Sequence, residues 1–205
     1  VMSGAGRTGR YLGGDHWNCR PDIIALSKGL GAGYCPLGAM IAHSKLVKPV
    51  LDRGGFAHGY TYAGNPLACA AGLAVLDEIE RQDLLGNATR IGALMKAELE
   101  GLAERYPFIG DVRGKGLLLA AEFVADRETM APLPKALEAH QRVVDIAYER
   151  GLIIYSRRTR GGVEGDHFLV CPPMITTQEQ VGEIVAILDA TLDQLAGELS
   201  LPVRK

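Results

Sequence analysis

Lys28 is the residue of this sequence best placed for chemistry, because it ends a short apolar segment. The run "DIIALSK" (22–28) lies between Pro21 and Gly29 and is typical of a buried strand that ends in a loop. A lysine kept partly from water has a lowered pKa, and its neutral amine can attack a carbonyl carbon. The other interpretation is a structural lysine whose ammonium reaches solvent from the strand end. Both interpretations are open at the level of this segment.

A glycine-rich segment, "SGAGRTGRYLGG" (3–14), contains the pattern G-x-G-x-x-G at 4–9. A dinucleotide-binding fingerprint needs a strand before the first glycine, a helix after the third and an acidic residue about 20 positions further on. Only three residues precede this pattern, Gly13 interrupts the helix, and the acids Asp15 and Asp22 follow too closely. The segment is therefore predicted to be a glycine-rich loop and not a nucleotide-binding turn.

The elements around Lys28 predict a mixed α and β domain. A second buried strand is expected over 37–43. Asn65 supplies an N-cap and Pro66 an N1 proline, so a long helix is predicted to begin there. Its first stretch, 66–79, is apolar on nearly every side and is expected to be buried.

The second half of the chain alternates strands and amphipathic helices. A Thr177…Gln180 capping box marks the start of the last helix. We predict a domain boundary near residue 80, with a parallel-sheet portion over 1–80 and a small α+β domain over 81–205. The elements expected in the second domain are a helical stripe at 91–102, strands at 108–114 and 116–124, a helix at 136–150, strands at 152–155 and 167–171 joined by a loop, and the capped last helix.

Composition and charge favour a folded domain with small-molecule or protein partners. Hydrophobic residues make up 47% of the chain and charged residues 22%, outside the range of disordered chains. The net charge of −2 gives no basic field to attract nucleic acid or a membrane surface. Four separated cysteines without a C-x-x-C pair predict neither a metal site nor a disulfide framework, and favour the reducing cytoplasm.

Five blocks in this order resemble the class III aminotransferases, pyridoxal 5'-phosphate (PLP) enzymes of fold type I. The blocks are "SGAGRTG", "PDIIALSKGLGAGYCPLGAMIA", "HGYTYAGNPLACAAGLAVL", "VRGKGLLLAAEF" and "GDHFLVCPPMITTQEQV". The resemblance implies an α/β chain: part of the large PLP-binding domain, whose sheet is mostly parallel, followed by a small α+β C-terminal domain. It also implies the cofactor PLP.

The resemblance assigns roles to three residues. Lys28 matches the lysine that binds PLP covalently and then moves a proton between the substrate Cα and the cofactor C4′. Thr61 matches a threonine that reaches the PLP phosphate of the neighbouring subunit, which implies a homodimer or a dimer of dimers; the alternative is a loop hydroxyl near Asn65. Val1 matches a residue packed on the pyridine ring, and plain packing is the alternative.

One part of the family pattern is missing from this sequence. In the family, an Asp-Glu pair precedes the position of Val1, and its aspartate binds the pyridinium nitrogen. The chain begins just after that place. We therefore expect the 205 residues to be under half of a complete enzyme and to be inactive alone.

Substrate contacts are predicted for two further residues. Arg158, with Arg157 and Arg160 beside it, lies in the expected loop of the C-terminal domain, where related enzymes can place an arginine for a substrate carboxylate. A solvated loop is the alternative. Tyr62 is expected at the mouth of the site, and core packing is its alternative.

The predicted function is a PLP-dependent transaminase that moves an amino group from an amine or ω-amino acid to a keto acid such as pyruvate or 2-oxoglutarate. A PLP-dependent aminomutase, racemase or decarboxylase of the same fold shares Lys28 and is the first alternative. A non-catalytic remnant is the second, because the cofactor site is incomplete in this sequence.

Overall fold

The computed structural model describes residues 1–159 and 161–204. Two units divide the chain, Val1–Gly86 and Asn87–Lys205. Both units contain strands and helices, so the predicted mixed α and β fold is confirmed. Within the described ranges, no helix is both long enough and apolar enough to span a membrane.

The first unit contains one strand pair, β1 (Ile23–Leu26) and β2 (Ala39–Ala42). These strands are antiparallel, with Ile23 opposite Ala42 and Leu26 opposite Ala39. The sequence predicts a mostly parallel sheet for this segment, and this one pair is antiparallel. The connection between them is a loop with a 3₁₀ turn and not a crossover helix, so the chain can reverse its direction directly.

Two helices complete the first unit, α1 (Ser44–Leu51) and α2 (Pro66–Arg81). The predicted cap of α2 is confirmed, because the Asn65 side chain accepts a hydrogen bond of 3.1 Å from the Ala68 amide. The predicted burial of α2 is wrong: Leu67 is 73% exposed and Leu73 is 62% exposed. The described residues of this unit do not cover that face of the helix.

The second unit is a sheet with three helices. Helix α3 (Leu84–Arg105) begins in the first unit and leads into the second. The strands follow the order β3-β4-β7-β6, with β5 paired to β4, and every pairing is antiparallel. The elements are β3 (Ile109–Lys115), β4 (Leu118–Asp126), β5 (Ala131–Pro132), α4 (Ala139–Glu149), β6 (Tyr155–Thr159), β7 (Glu164–Val170) and α5 (Gln178–Leu199).

The core of the second unit lies between this sheet and its helices. The apolar stripe predicted for α3 is buried, with Ile91 and Met95 fully withdrawn from solvent. The capping box of α5 is also confirmed: the Gln180 amide donates to Thr177 Oγ1, and the Thr177 amide donates to Gln180 Oε1. Aromatic rings join the layers, with successive centroids 5.5 to 5.8 Å apart along Tyr106, Phe108, Phe123 and Phe168.

Two boundaries in the second unit differ from the sequence-based prediction. Helix α4 begins at Ala139, three residues later than expected, because Glu138 has a left-handed backbone (φ 46°) that ends a preceding 3₁₀ turn. The loop predicted over 156–166 is mostly strand, since β6 continues to Thr159 and β7 starts at Glu164.

Candidate active site

Lys28 is the first residue of a 3₁₀ turn directly after β1. The turn is closed by hydrogen bonds from Leu30 N to Ser27 O and from Gly31 N to Lys28 O, each 3.1 Å. Lys28 has a left-handed backbone with φ of 49°, which residues with a Cβ adopt only at a cost in energy. Left-handed residues of this kind cluster at functional sites and also end helices and turns, as Glu138 does in this chain.

The side chain of Lys28 is exposed, contrary to the predicted desolvation. The turn leaves the sheet at this residue, and nothing in the described part of the first unit covers it. Among the described residues the ammonium forms no salt bridge or side-chain hydrogen bond, whereas Lys45 and Lys48 pair with carboxylates. The amine of Lys28 is therefore chemically uncommitted.

The glycine-rich segment packs directly on the lysine turn. A Cβ placed on Gly4 would lie 3.2 Å from Leu26 Cδ2, at the end of β1. A Cβ placed on Gly29 would lie 2.9 Å from the Cβ of Ala5, which is 3% exposed. The predicted glycine-rich loop thus lies against the residue that follows Lys28.

Helix α2 packs on the other part of the same turn. A Cβ on Gly72 would lie 2.5 Å from Leu37 Cδ2 and 3.7 Å from Leu30 O, so a larger residue there would displace the Leu37 side chain. The loop before α2 carries Thr61 and Tyr62, both exposed. This loop leads into α2, which packs on the lysine turn.

The remaining predicted residues of the first unit are less closely associated with Lys28. Val1 is 52% exposed and precedes the glycine-rich segment. Tyr62 is 82% exposed, and neither Thr61 nor Tyr62 forms a hydrogen bond with Lys28 among the described residues. Their roles stay predictions.

Arg158 lies in the second unit and holds a buried ionic cluster. Its side chain is 5% exposed and sits opposite Asp166 in the pairing of β6 with β7. Arg158 Nε donates to Asp166 Oδ1 at 2.5 Å, and the terminal nitrogens donate to Glu138 Oε1 and to Lys135 O at 3.1 Å. All three nitrogens of the guanidinium have protein partners in this structure.

The cluster shifts the ionisation of both of its buried members. Burial would raise the pKa of Asp166, but hydrogen bonds from Arg158 and from the His140 amide lower it below the ordinary value. The hydrogen bond to Asp166 raises the pKa of Arg158, so the guanidinium is charged at every accessible pH. The Arg158–Asp166 pair therefore connects the β6–β7 hairpin to the start of α4.

The neighbouring arginines have different surroundings. Arg157 is exposed, and its guanidinium carbon lies 5.6 Å from the centre of the Tyr155 ring. Arg160 lies outside the described residues. Arg157 is exposed and the Arg158 side chain is buried because successive side chains of β6 point to opposite faces of the sheet.

Sequence reasoning missed two features of these sites. It gave no role to Asp166 or His140, although His140 Nδ1 lies 3.2 Å from Asp166 Oδ2. The only signal was the polar pair 166–167 directly before the apolar residues 168–170. It also missed the contact between Ala5 and Gly29, which no local pattern indicates.

The family model for the class III aminotransferases ("Aminotransferase class-III") matches residues 1–192. An uncharacterized aminotransferase of Sinorhizobium fredii is 41% identical over 203 residues, which are 97% of this chain and 42% of that protein. A diaminobutyrate–2-oxoglutarate transaminase of Halomonas elongata is 36% identical over a match that covers 98% of this chain and 42% of that protein. A leucine/methionine racemase of Thermococcus litoralis is 37% identical over a match that covers 89% of this chain and 38% of that protein.

Solved structures give the same result. A transaminase from the marine bacterium Virgibacillus superposes with a TM-score of 0.92 at 29% identity, over 97% of this chain and 45% of that one. An amine transaminase from an uncultivated Pseudomonas species, in its PLP-bound form, superposes with a TM-score of 0.85 at 39% identity, over 95% and 43%. The chain therefore spans less than half the length of the proteins it matches.

Proposed function

This chain belongs to the class III aminotransferase family, and on that basis we propose that the full-length protein is a PLP-dependent transaminase. It would move an amino group from an amine or ω-amino acid to a keto acid such as pyruvate or 2-oxoglutarate. The observation that carries this proposal is the uncommitted amine of Lys28, held on a closed turn within the matched residues. The diaminobutyrate–2-oxoglutarate relative supports a keto acid as the acceptor.

The described residues fit PLP in the chemistry of their donors. Lys28 offers a free amine for the aldehyde, and Thr61 offers an exposed hydroxyl for the phosphate. PLP, when bound, supplies the electron sink for carbanion chemistry at the substrate Cα. The chain's own contribution is to bind the cofactor through Lys28 Nζ, and then to move a proton at the substrate Cα with the same nitrogen.

In the full-length protein, residues outside this chain would bury the Lys28 side chain. The relatives are more than twice as long as this chain and contain such residues. Withdrawing the amine from water would lower its pKa and favour the neutral nucleophile. The same residues outside this chain would supply an acidic partner for the cofactor's ring nitrogen next to Val1, whose predicted place is against the ring. The cytoplasm stays our predicted location, from the cysteine pattern.

The proposed reaction is tested by its need for a keto acid. The full-length protein is expected to consume an amine donor only when pyruvate or 2-oxoglutarate is present, because the amino group needs an acceptor. The racemase alternative, which the Thermococcus relative supports, predicts loss of optical activity of an amino acid without any keto acid. Coupled assays of amine loss and of chirality, with and without keto acid, separate the two.

We also propose that the protein is a homodimer or a dimer of dimers with shared cofactor sites. The support is the exposed apolar surface of α2 beside the Thr61 loop, where Leu67 and Leu73 face outward. A second subunit would cover this surface and receive the Thr61 hydroxyl at its cofactor phosphate.

Thr61→Ala tests the shared site. We expect the variant to retain PLP about tenfold more weakly than the parent, because one hydrogen bond to a charged group is lost. PLP retention is measured by the visible absorbance that remains after gel filtration. Thr89→Ala, an exposed threonine of α3, is the control. Equal retention by both variants would count against the role of Thr61.

For the substrate, Tyr62 and Arg158 stay our proposed contacts. Tyr62 is available in the exposed loop before α2. Each guanidinium nitrogen of Arg158 already donates to a protein oxygen, so a substrate carboxylate would compete with Asp166 and Glu138 for it.

A further inference from the structure

We propose that Gly29 is a positioning residue for Lys28: the missing side chain at position 29 lets Ala5 seat against the turn and hold Lys28 in its left-handed conformation. This inference rests on the proposed function, in which Lys28 binds PLP. It adds a role for the glycine-rich segment, whose part in the site is otherwise undefined.

The backbone of Lys28 needs support from its surroundings. A left-handed conformation is unfavourable for a lysine, and a residue keeps it only where the neighbouring structure leaves no alternative. The turn provides two hydrogen bonds, from Leu30 N and Gly31 N. Both lie within the turn, so they do not fix its place against the rest of the unit.

Ala5 provides the support from outside the turn. Its side chain is buried, and a Cβ on Gly29 would lie 2.9 Å from its Cβ, closer than such atoms approach in proteins. Apart from residues 28 and 30, the one other neighbour within 4 Å of that Cβ in the described ranges is Gly4 O, at an ordinary 3.8 Å. A single methyl group therefore decides whether position 29 tolerates a side chain.

The segment that carries Ala5 cannot easily move away. Gly4 packs on Leu26, and hydrogen bonds run from Arg7 N to Gly4 O and from Gly9 N to Gly6 O. The segment is thus held to the end of β1 and closed on itself.

The turn is also confined on its far side. A Cβ on Gly31 would lie 2.6 Å from Cys35 O, and Leu30 is buried below α2. An added methyl at position 29 would therefore shift the turn that presents the Lys28 amine. A misplacement of this kind in a reacting group lowers rates steeply.

Gly29 has no positive φ, so an alanine there carries no backbone penalty of that kind. The main effect of Gly29→Ala is thus the close contact with Ala5. Gly38→Ala is the matched control, because its Cβ would meet only Leu26 O, at 3.5 Å, and Ser27 Oγ, at 4.0 Å.

The experiment measures PLP binding by the full-length protein and its variants, using visible absorbance during titration and borohydride fixation at Lys28. We expect Gly29→Ala to bind PLP about tenfold more weakly, and Gly38→Ala to bind it like the parent. Thermal unfolding without PLP shows whether each variant is folded. The double variant Ala5→Gly with Gly29→Ala removes the opposing methyl and is expected to restore binding, even if Gly29→Ala alone fails to fold.

The outcomes separate this inference from the proposed function. A parent protein that binds no PLP at Lys28 overturns both. A parent that binds PLP, with Gly29→Ala binding equally well, overturns only the role of Gly29. A folded double variant that stays as weak as the single variant also overturns it, since the contact with Ala5 would then not be the cause.

Discussion

Replacement of Lys28 by alanine is expected to abolish the visible absorbance of bound PLP and to lower keto-acid-dependent turnover by about 10⁴-fold or more. The reason is that one nitrogen both holds the cofactor and transfers the proton, so that no other described group substitutes for it. Lys48→Ala is the control, because Lys48 is an exposed lysine of the same unit paired only with Asp52. Turnover and PLP retention of both variants are measured in parallel.

A glycine at the same position separates chemistry from stability. Lys28→Gly removes the amine but accepts the left-handed backbone without strain, so we expect the free energy of unfolding to stay level or to rise by up to about 1 kcal/mol. A stable but inactive Lys28→Gly variant would show that the lysine is kept for its chemistry. Retained turnover in either Lys28 variant would contradict its catalytic role.

Replacement of Arg158 by methionine is expected to cost about 3 kcal/mol of unfolding free energy. The substitution leaves the carboxylate of Asp166, whose side chain is 5% exposed, without its ionic partner. Denaturant titration of the second unit's unfolding measures the loss. Arg157→Met is the control, because the Arg157 side chain is exposed beside Tyr155.

The double variant Arg158→Met with Asp166→Leu distinguishes a structural role of Arg158 from a substrate role. Removal of both charges leaves no buried unpaired ion, so most of the lost stability is expected to return. If Arg158 also binds a substrate carboxylate, the folded double variant has a raised KM for acidic substrates and an unchanged KM for simple amines. An unchanged KM for both classes would contradict the substrate role.

The same pair makes stability depend on pH in the acid range. The pKa of Asp166 is lower in the folded chain than its ordinary value of 3.8. Its contribution is therefore complete above that value and is lost as the pH falls through the folded pKa. The double variant is expected to lose this part of the acid sensitivity.

Local sequence signals predicted much of the fold correctly, where the physical cause is also local. Asn65 and Thr177 cap their helices because a side-chain oxygen reaches an amide three residues away. The stripe of α3 is buried because its period matches a helix with one face on a sheet. These causes act within a few residues and need no knowledge of the tertiary contacts.

The predictions that failed depend on distant partners. The apolar surface of α2 predicts burial, but the described first unit leaves Leu67 and Leu73 uncovered. The sequence over 156–166 is typical of a polar loop, yet pairing with β7 extends β6 to Thr159. The position of a domain boundary near residue 80 stays a prediction.

The predictions for the candidate active site divide in the same way, into features with a local signal and features that depend on distant residues. Lys28 was identified from its place after an apolar strand, together with the resemblance of the surrounding motif. The contact between Ala5 and Gly29 joins segments about 24 residues apart. Sequence periodicity gives no signal for this contact or for the left-handed backbone of Lys28. Its exposure was also not predictable, since burial depends on which other residues cover it.

The most direct test of the central proposal is chemical labelling of Lys28. The full-length protein is mixed with PLP, treated with borohydride and digested, and the mass of the peptide containing "LSKGLG" is measured. We expect the added mass of a reduced PLP group on Lys28 and on no other lysine, with none in Lys28→Ala. A label on another lysine, or no label under conditions where keto-acid-dependent turnover proceeds, would contradict the assignment of Lys28 as the PLP-binding residue.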